Sequence, residues 1–143
     1  MPQTKPDLTC IIDDDNLYLK IVSRIIESKD LCKDIVIFKN GKEAIDHFST
    51  LVDLPENRRV PDVIFLDLNM PIMDGWEFLD EFLKIDEAVR QRITLYVVSS
   101  SIDPRDINRA KSFETVKDYL VKPLSLEALK KVFQFNDDQG GTS

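Results

Sequence analysis

The sequence predicts an α/β fold: a doubly wound five-stranded parallel sheet, order 2-1-3-4-5, with helices on both faces. Three observations lead there, namely five short apolar runs, segments of helical periodicity between them, and cap signals at the helix starts. Strands that alternate with helices run parallel, because each helix carries the chain back across the sheet. Right-handed crossovers then restrict the layout to a doubly wound one.

Residues 8–12 form the first apolar run. Leu17, Ile21, Val22, Ile25 and Ile26 follow at spacings of 4, 1, 3 and 1, a stripe along one helical face. The second run is 35–38, and 41–51 is a weaker helix. After the third run, 63–66, a helix is expected to start at Asp74, whose carboxylate caps the chain while Glu77 reaches back as in a capping box. Phe78, Leu79, Phe82 and Leu83 are then expected to face inward. The fourth run is 95–98, followed by Asp103-Pro104, a cap with proline at the first helical position. The fifth is 119–121, and Ser125 opens the last helix before Leu129, Val132 and Phe133. Residues 53–61 are a polar, proline-bounded loop longer than such connections need. Residues 136–143 read as a polar tail, so that 1–143 is one domain with its core at about 7–135.

Composition narrows the classes of function. The chain is long enough to bury a core without metal or disulfide support. Hydrophobic residues at 43% and charged residues at 31% are ordinary for a soluble domain, and no apolar run approaches the length of a membrane span. The start lacks the basic-then-apolar pattern of a signal peptide, so a cytoplasmic location is expected. A net charge of -7 argues against nucleic acid as a partner. Cys10 and Cys32 lack metal-ligand spacing and read as packing residues.

In open α/β sheets, ligands bind beyond the carboxyl ends of the strands, where strand order reverses. The first strand exits into Asp13, Asp14 and Asp15, the third into Asp67, the fourth into Ser99, Ser100 and Ser101, and the fifth into Lys122-Pro123. The outer second strand offers Lys39 and Asn40. Taken singly, an Asp after a strand reads as a helix cap, and a strand-end Ser or Lys as an exposed residue. Asp15 and Asp74 keep that reading. Asp13, Asp14, Asp67, Ser99 and Lys122 instead converge on one pocket under the predicted strand order. Two carboxylates about 4 Å apart repel by roughly 4 kcal/mol at an effective dielectric near 20, so a cation is expected among them. Oxygen ligands with room for water suit Mg²⁺, for which Mn²⁺ could substitute. A carboxylate beside such a cation is a nucleophile toward phosphorus, with Lys122 and the cation neutralising charge and Ser99 donating to a phosphoryl oxygen.

The blocks IIDDDN, VIFLDLNMPIMDGWEFL, VVSSSID and DYLVKPL resemble, in order, the signature segments of response-regulator receiver domains. The resemblance spans about residues 7–135, and DLNMPIMDG around Asp67 is its most specific part. It implies a flavodoxin-like sheet, Asp67 as phosphoacceptor and metal ligand, and Asp13 and Asp14 as the acidic pair, Asp14 being favoured as the direct Mg²⁺ ligand. It further implies metal ligation by the backbone carbonyl of Asn69, Ser99 as switch hydroxyl, Lys122 as the phosphoryl-binding lysine before a cis Pro123, and Tyr119 as the aromatic that turns inward on activation. Three consecutive serines leave the hydroxyl's register open by one residue; Ser99 is preferred because Ser100 then takes the small-residue position. Ser in place of the commoner Thr, the long 53–61 loop and residues 114–116 depart from the family pattern.

The implied function is acceptance of a phosphoryl group from a sensor histidine kinase or histidine phosphotransfer protein. Signalling then passes by protein contact, to an unknown downstream protein or a second copy, through strands 4 and 5 and their helices. The domain would assist its own phosphorylation and dephosphorylation without being an enzyme in the turnover sense. Two alternatives stand beside it. A pseudo-receiver would signal without phosphate, but such modules lose an acidic-pair member, the acceptor or the lysine, and all are present here. A haloacid-dehalogenase-type phosphatase needs Asp-x-Asp after its first strand, whereas Asp67-Leu68-Asn69 follows the third. A flavodoxin-like flavin carrier fits poorly, since carboxylates after the first strand would repel a flavin phosphate. His47 reads as a boundary residue rather than a phosphohistidine relay, and Met70, Met73 and Trp76 as packing residues.

Overall fold

The computed structural model describes residues 5–138, with side chains placed up to residue 133. The described elements are β1 (Leu8–Ile12), α1 (Asn16–Ser28), β2 (Asp34–Phe38), α2 (Gly41–Phe48), β3 (Val63–Leu66), α3 (Gly75–Phe82), α4 (Glu87–Gln91), β4 (Thr94–Ser99), α5 (Pro104–Lys111), β5 (Val116–Val121) and α6 (Leu126–Asp138). The strands form one sheet in the order β2-β1-β3-β4-β5, parallel at every pairing, as the sequence predicts.

Successive side chains of a strand point to opposite faces, and the three central strands use both faces for packing. Cys10 and Ile12 of β1, Ile64 and Leu66 of β3, and Leu95 and Val97 of β4 meet Phe48 of α2, Phe78, Leu79 and Phe82 of α3, and Ala110 of α5. Their neighbours Ile11, Val63, Phe65, Tyr96 and Val98 meet Tyr18, Leu19, Val22 and Ile26 of α1 and Leu129, Val132 and Phe133 of α6. Phe78 and Phe82, one helical turn apart, stack with ring centroids 5.6 Å apart. Each fully buried Phe contributes on the order of 2–3 kcal/mol relative to exposure.

Helix starts follow the cap signals. Asp15 accepts from the N–H groups of Leu17 and Tyr18. Asp74 and Glu77 close a reciprocal capping box at α3. Asp103 caps α5 with Pro104 behind it, and Ser125 Oγ accepts from Ala128 N at 3.0 Å.

The structure corrects several expectations. Leu17 and Ile21 are 69% and 52% exposed, and Tyr18 and Leu19 turn inward with Val22 and Ile26. The apolar arc of α1 is wider than a single stripe and has Leu17 and Ile21 at one margin, so periodicity alone does not fix which part of it faces the sheet. Leu83 lies past the end of α3 as its C-cap and is 46% exposed. Helix α4 is missing from the sequence reading because five residues with one buried side chain, Val89, make no periodic signal. The second helix ends at Phe48 rather than 51. Helix α6 runs to Asp138, taking in 136–138 of the expected tail; residues 139–143 lie outside the described residues.

Candidate functional site

Backbone bonding sets the pocket before any side chain does. Asp13 N donates to Phe38 O at 3.0 Å, Asp67 N to Ile12 O at 2.9 Å, and Lys122 N to Ser99 O at 2.9 Å. These bonds extend the parallel ladders one residue past β1, β3 and β5, so the strand exits stand level along the carboxyl edge of the sheet. The edge lies where the chain order reverses between β1 and β3, the place at which open α/β sheets bind ligands.

Asp13, Asp14 and Asp67 each bring one carboxylate oxygen to within 4.8 Å of the others. Asp13 and Asp67 are buried, at 1% and 7% exposure, while Asp14 is open to solvent. Lys122 Nζ stands 2.8 Å from Asp13 Oδ2 and 3.7 Å from Asp67 Oδ1. Asp13 Oδ1 accepts from Asp15 N at 2.9 Å, and Asp67 Oδ1 from Leu68 N at 2.9 Å. Burial, reinforced by the neighbouring Asp13 charge and opposed by Lys122, pushes the Asp67 carboxyl up to about 6. Burial also raises Asp13, against the pull of Lys122. One ammonium therefore leaves the pocket short of positive charge. An all-oxygen donor set with an open side and a residual negative potential fits a hard divalent cation such as Mg²⁺ or Mn²⁺.

The other predicted residues sit on β4, β5 and the loop that follows β3. Ser99 is fully buried at the end of β4, paired with Val121, and its Oγ accepts from Ser101 N at 3.1 Å. Ser100 is exposed. Asn69, two residues past Asp67, is exposed in the loop to α3. Tyr119 is 8% exposed; its Oη donates to Ser101 O at 2.8 Å, so it touches the β4–α5 loop and not the carboxylates. Ser101 also donates through its hydroxyl to Asp106 of α5 at 2.7 Å, tying that loop to the helix. The Lys122-Pro123 bond is cis. Met70, Met73 and Trp76 pack against the core, and the His47 ring lies against those of Phe38 and Phe48, which also touch each other.

One residue of the pocket was missed in the sequence. Tyr18 presents its ring to Lys122, with Nζ 4.4 Å from the ring centroid. Burial pushes its phenol upward, so the hydroxyl stays neutral. The signal was an aromatic residue in the first turn of the helix that follows the acidic pair. The stripe drawn through Leu17 and Ile21 leaves Tyr18 out, so the sequence assigns it neither a packing nor a site role.

Fold and site together define a class: a doubly wound α/β domain with a carboxylate cluster and a lysine at the switch point of its sheet. The chain belongs to the response regulator receiver domain family, whose model matches residues 9–134. It is 31% identical over 129 residues to the probable methanogenesis regulatory protein FilR2 of Methanothrix harundinacea, covering 90% of this chain and 80% of that protein. Other curated relatives are longer: the chain spans 32% of a protein-glutamate methylesterase/protein-glutamine glutaminase of Methanococcoides burtonii and 16% of the rice regulator ORR21. The crystal structure of a two-component response regulator from Cytophaga hutchinsonii superposes with a TM-score of 0.81 at 30% identity, covering 93% of this chain and 98% of that one. The phosphorylated cyanobacterial phytochrome response regulator RcpA gives 0.72 at 25% identity, with 96% of each chain covered. The Mn²⁺-bound form of response regulator Rcp1 gives 0.68 at 26%, with 93% of each covered. Among the described residues, no helix is long and apolar enough to cross a membrane.

Proposed function

We propose that this receiver domain takes a phosphoryl group from the phosphohistidine of a sensor kinase or phosphotransfer protein onto Asp67 and signals through the surface that changes with it. The observation that carries the reading is the convergence of three carboxylates and one lysine, with Asp67 beside both Asp13 and Lys122. Asp13, Asp14, Asp67 and the backbone carbonyl of Asn69 would hold Mg²⁺ or Mn²⁺, which when bound neutralises the carboxylates and the phosphoryl oxygens.

The chain's own groups divide the rest of the work. An Asp67 oxygen attacks phosphorus, the P–N bond breaks, and the electron pair leaves with the imidazole. Lys122, 3.7 Å from Asp67, needs a short movement to pair with a phosphoryl oxygen. Ser99 Oγ accepts from Ser101 N, which leaves its own proton free to donate to a second phosphoryl oxygen. That donation pulls on Ser101, whose carbonyl holds Tyr119 and whose hydroxyl holds Asp106, so the change passes to β5 and α5. The face of α5, β5 and α6 is then the readout, toward a downstream protein or a second copy. Water attack on the acyl phosphate resets the domain, which acts as a switch and not as an enzyme of turnover.

The test is incubation with acetyl phosphate and Mg²⁺, read by intact mass. One added phosphoryl group is expected, absent in Asp67→Asn and absent with a chelator. Labelling that survives either change overturns the assignment.

A further inference from the structure

We infer that Tyr18 is a positioning residue for Lys122, its ring forming the wall that holds the ammonium between Asp13 and Asp67. The inference rests on the proposed role of that pocket and goes beyond it, because it assigns a task to a side chain outside the acidic cluster. Lys122 Nζ has a carboxylate oxygen at 2.8 Å on one side, another at 3.7 Å, and the Tyr18 ring centroid at 4.4 Å. Its side chain is 15% exposed, so the ammonium has given up most of its hydration. Lost hydration drives a flexible lysine back toward water unless protein groups replace the water. Asp13 replaces part of it. The face of an aromatic ring replaces more, and its attraction for a cation grows as solvent is excluded.

The Tyr18 hydroxyl is buried and has no hydrogen-bond partner, so the residue's contribution lies in the ring. Nor is the ring free to drift. Asp15 fixes the first turn of α1 by accepting from Leu17 N and Tyr18 N, and Asp15 N donates to Asp13. One short segment therefore delivers both Asp13 and the ring to the lysine.

Removing the ring while keeping apolar bulk releases the ammonium to solvent. Its competition for the carboxylates falls, so divalent metal binds at least as tightly, while phosphoryl uptake slows for want of the charge. Loss of structure alone would weaken both. The experiment measures Mg²⁺ affinity by calorimetry and the rate of phosphorylation by acetyl phosphate in Tyr18→Leu and Tyr18→Phe. For Tyr18→Leu, uptake roughly tenfold slower is expected, the size of a desolvated cation–ring contact, with Mg²⁺ affinity equal or higher; Tyr18→Phe recovers both values. Replacing residue 18 with phenylalanines of increasing fluorination keeps the shape and drains the ring face, and a stepwise fall in rate is expected. A flat response to fluorination, or a joint loss of metal affinity and rate in Tyr18→Leu, overturns the inference. If the parent protein is not labelled at Asp67 at all, the reading of the pocket fails; labelling at Asp67 that ignores the ring sinks the Tyr18 assignment alone.

Discussion

Gly75 packs directly against the backbone of Asp67: a Cβ on Gly75 would stand 2.4 Å from the Asp67 carbonyl oxygen and 2.7 Å from Leu68 Cα. Gly75 N also donates to Leu68 O at 2.9 Å, so α3 begins as a bracket on the strand exit that carries Asp67. Both clashing atoms are main chain, so no rotamer change relieves them. Gly75→Ala is expected to cost at least about 2 kcal/mol in urea unfolding, the range of overpacked sites, and to impair phosphorylation by shifting Asp67. A Gly75→Ala protein with parental stability would show that the bracket yields freely.

Ile72, in the same loop, has a φ of 70° and is 79% exposed. A β-branched side chain is crowded in this left-handed region, and here almost no burial offsets the strain. Asn tolerates the conformation. Ile72→Asn is therefore expected to stabilise the domain by roughly 1 kcal/mol, read as a higher urea midpoint at unchanged slope.

Asp67 holds its proton up to about 6, above its ordinary 3.8. Between those values the folded metal-free domain binds a proton that the unfolded chain releases, so Asp67 contributes a loss of stability as pH rises through that window. With chelator present, Asp67→Asn is expected to stabilise the protein little at pH 4 and most above pH 6, measured as the difference between parallel unfolding curves. At pH 7, Mg²⁺ at a hundred times its dissociation constant is expected to return about 2.7 kcal/mol to the parent. An Asn advantage that shrinks as pH rises contradicts the assigned shift.

Arg92 organises the long loop between α2 and β3. It donates to Leu54 O at 3.0 Å and Asn57 O at 2.9 Å, and pairs with Asp53 at 3.4 Å. Arg92→Ala leaves those carbonyls to water and is expected to cost about 1 kcal/mol, while limited proteolysis within 53–59 accelerates. Phosphorylation, at the opposite end of the sheet, is expected to be unaffected.

What the sequence revealed and what it hid divide along physical lines. All five strands were legible because a parallel sheet covered on both faces writes itself as short apolar runs. The cap residues Asp15, Asp74, Asp103 and Ser125 were legible because their bonds are local. The inward face of α1 was not, since Leu17 and Ile21 satisfy the same periodicity as Tyr18 and Val22 and only the rotation of the helix against the sheet chooses between them. Helix α4 was hidden by its brevity. The pairing of Tyr18 with Lys122 joins α1 to the exit of β5, a relation that no local pattern encodes.

Because every strand runs the same way, the two ends of the sheet share no chemistry. The connection pinned by Arg92 enters β3 from the end remote from Asp13, Asp67 and Lys122. Lengthening the connection there, even by grafting a fluorescent label or a peptide tag, is therefore expected to leave the carboxylate rim as it is.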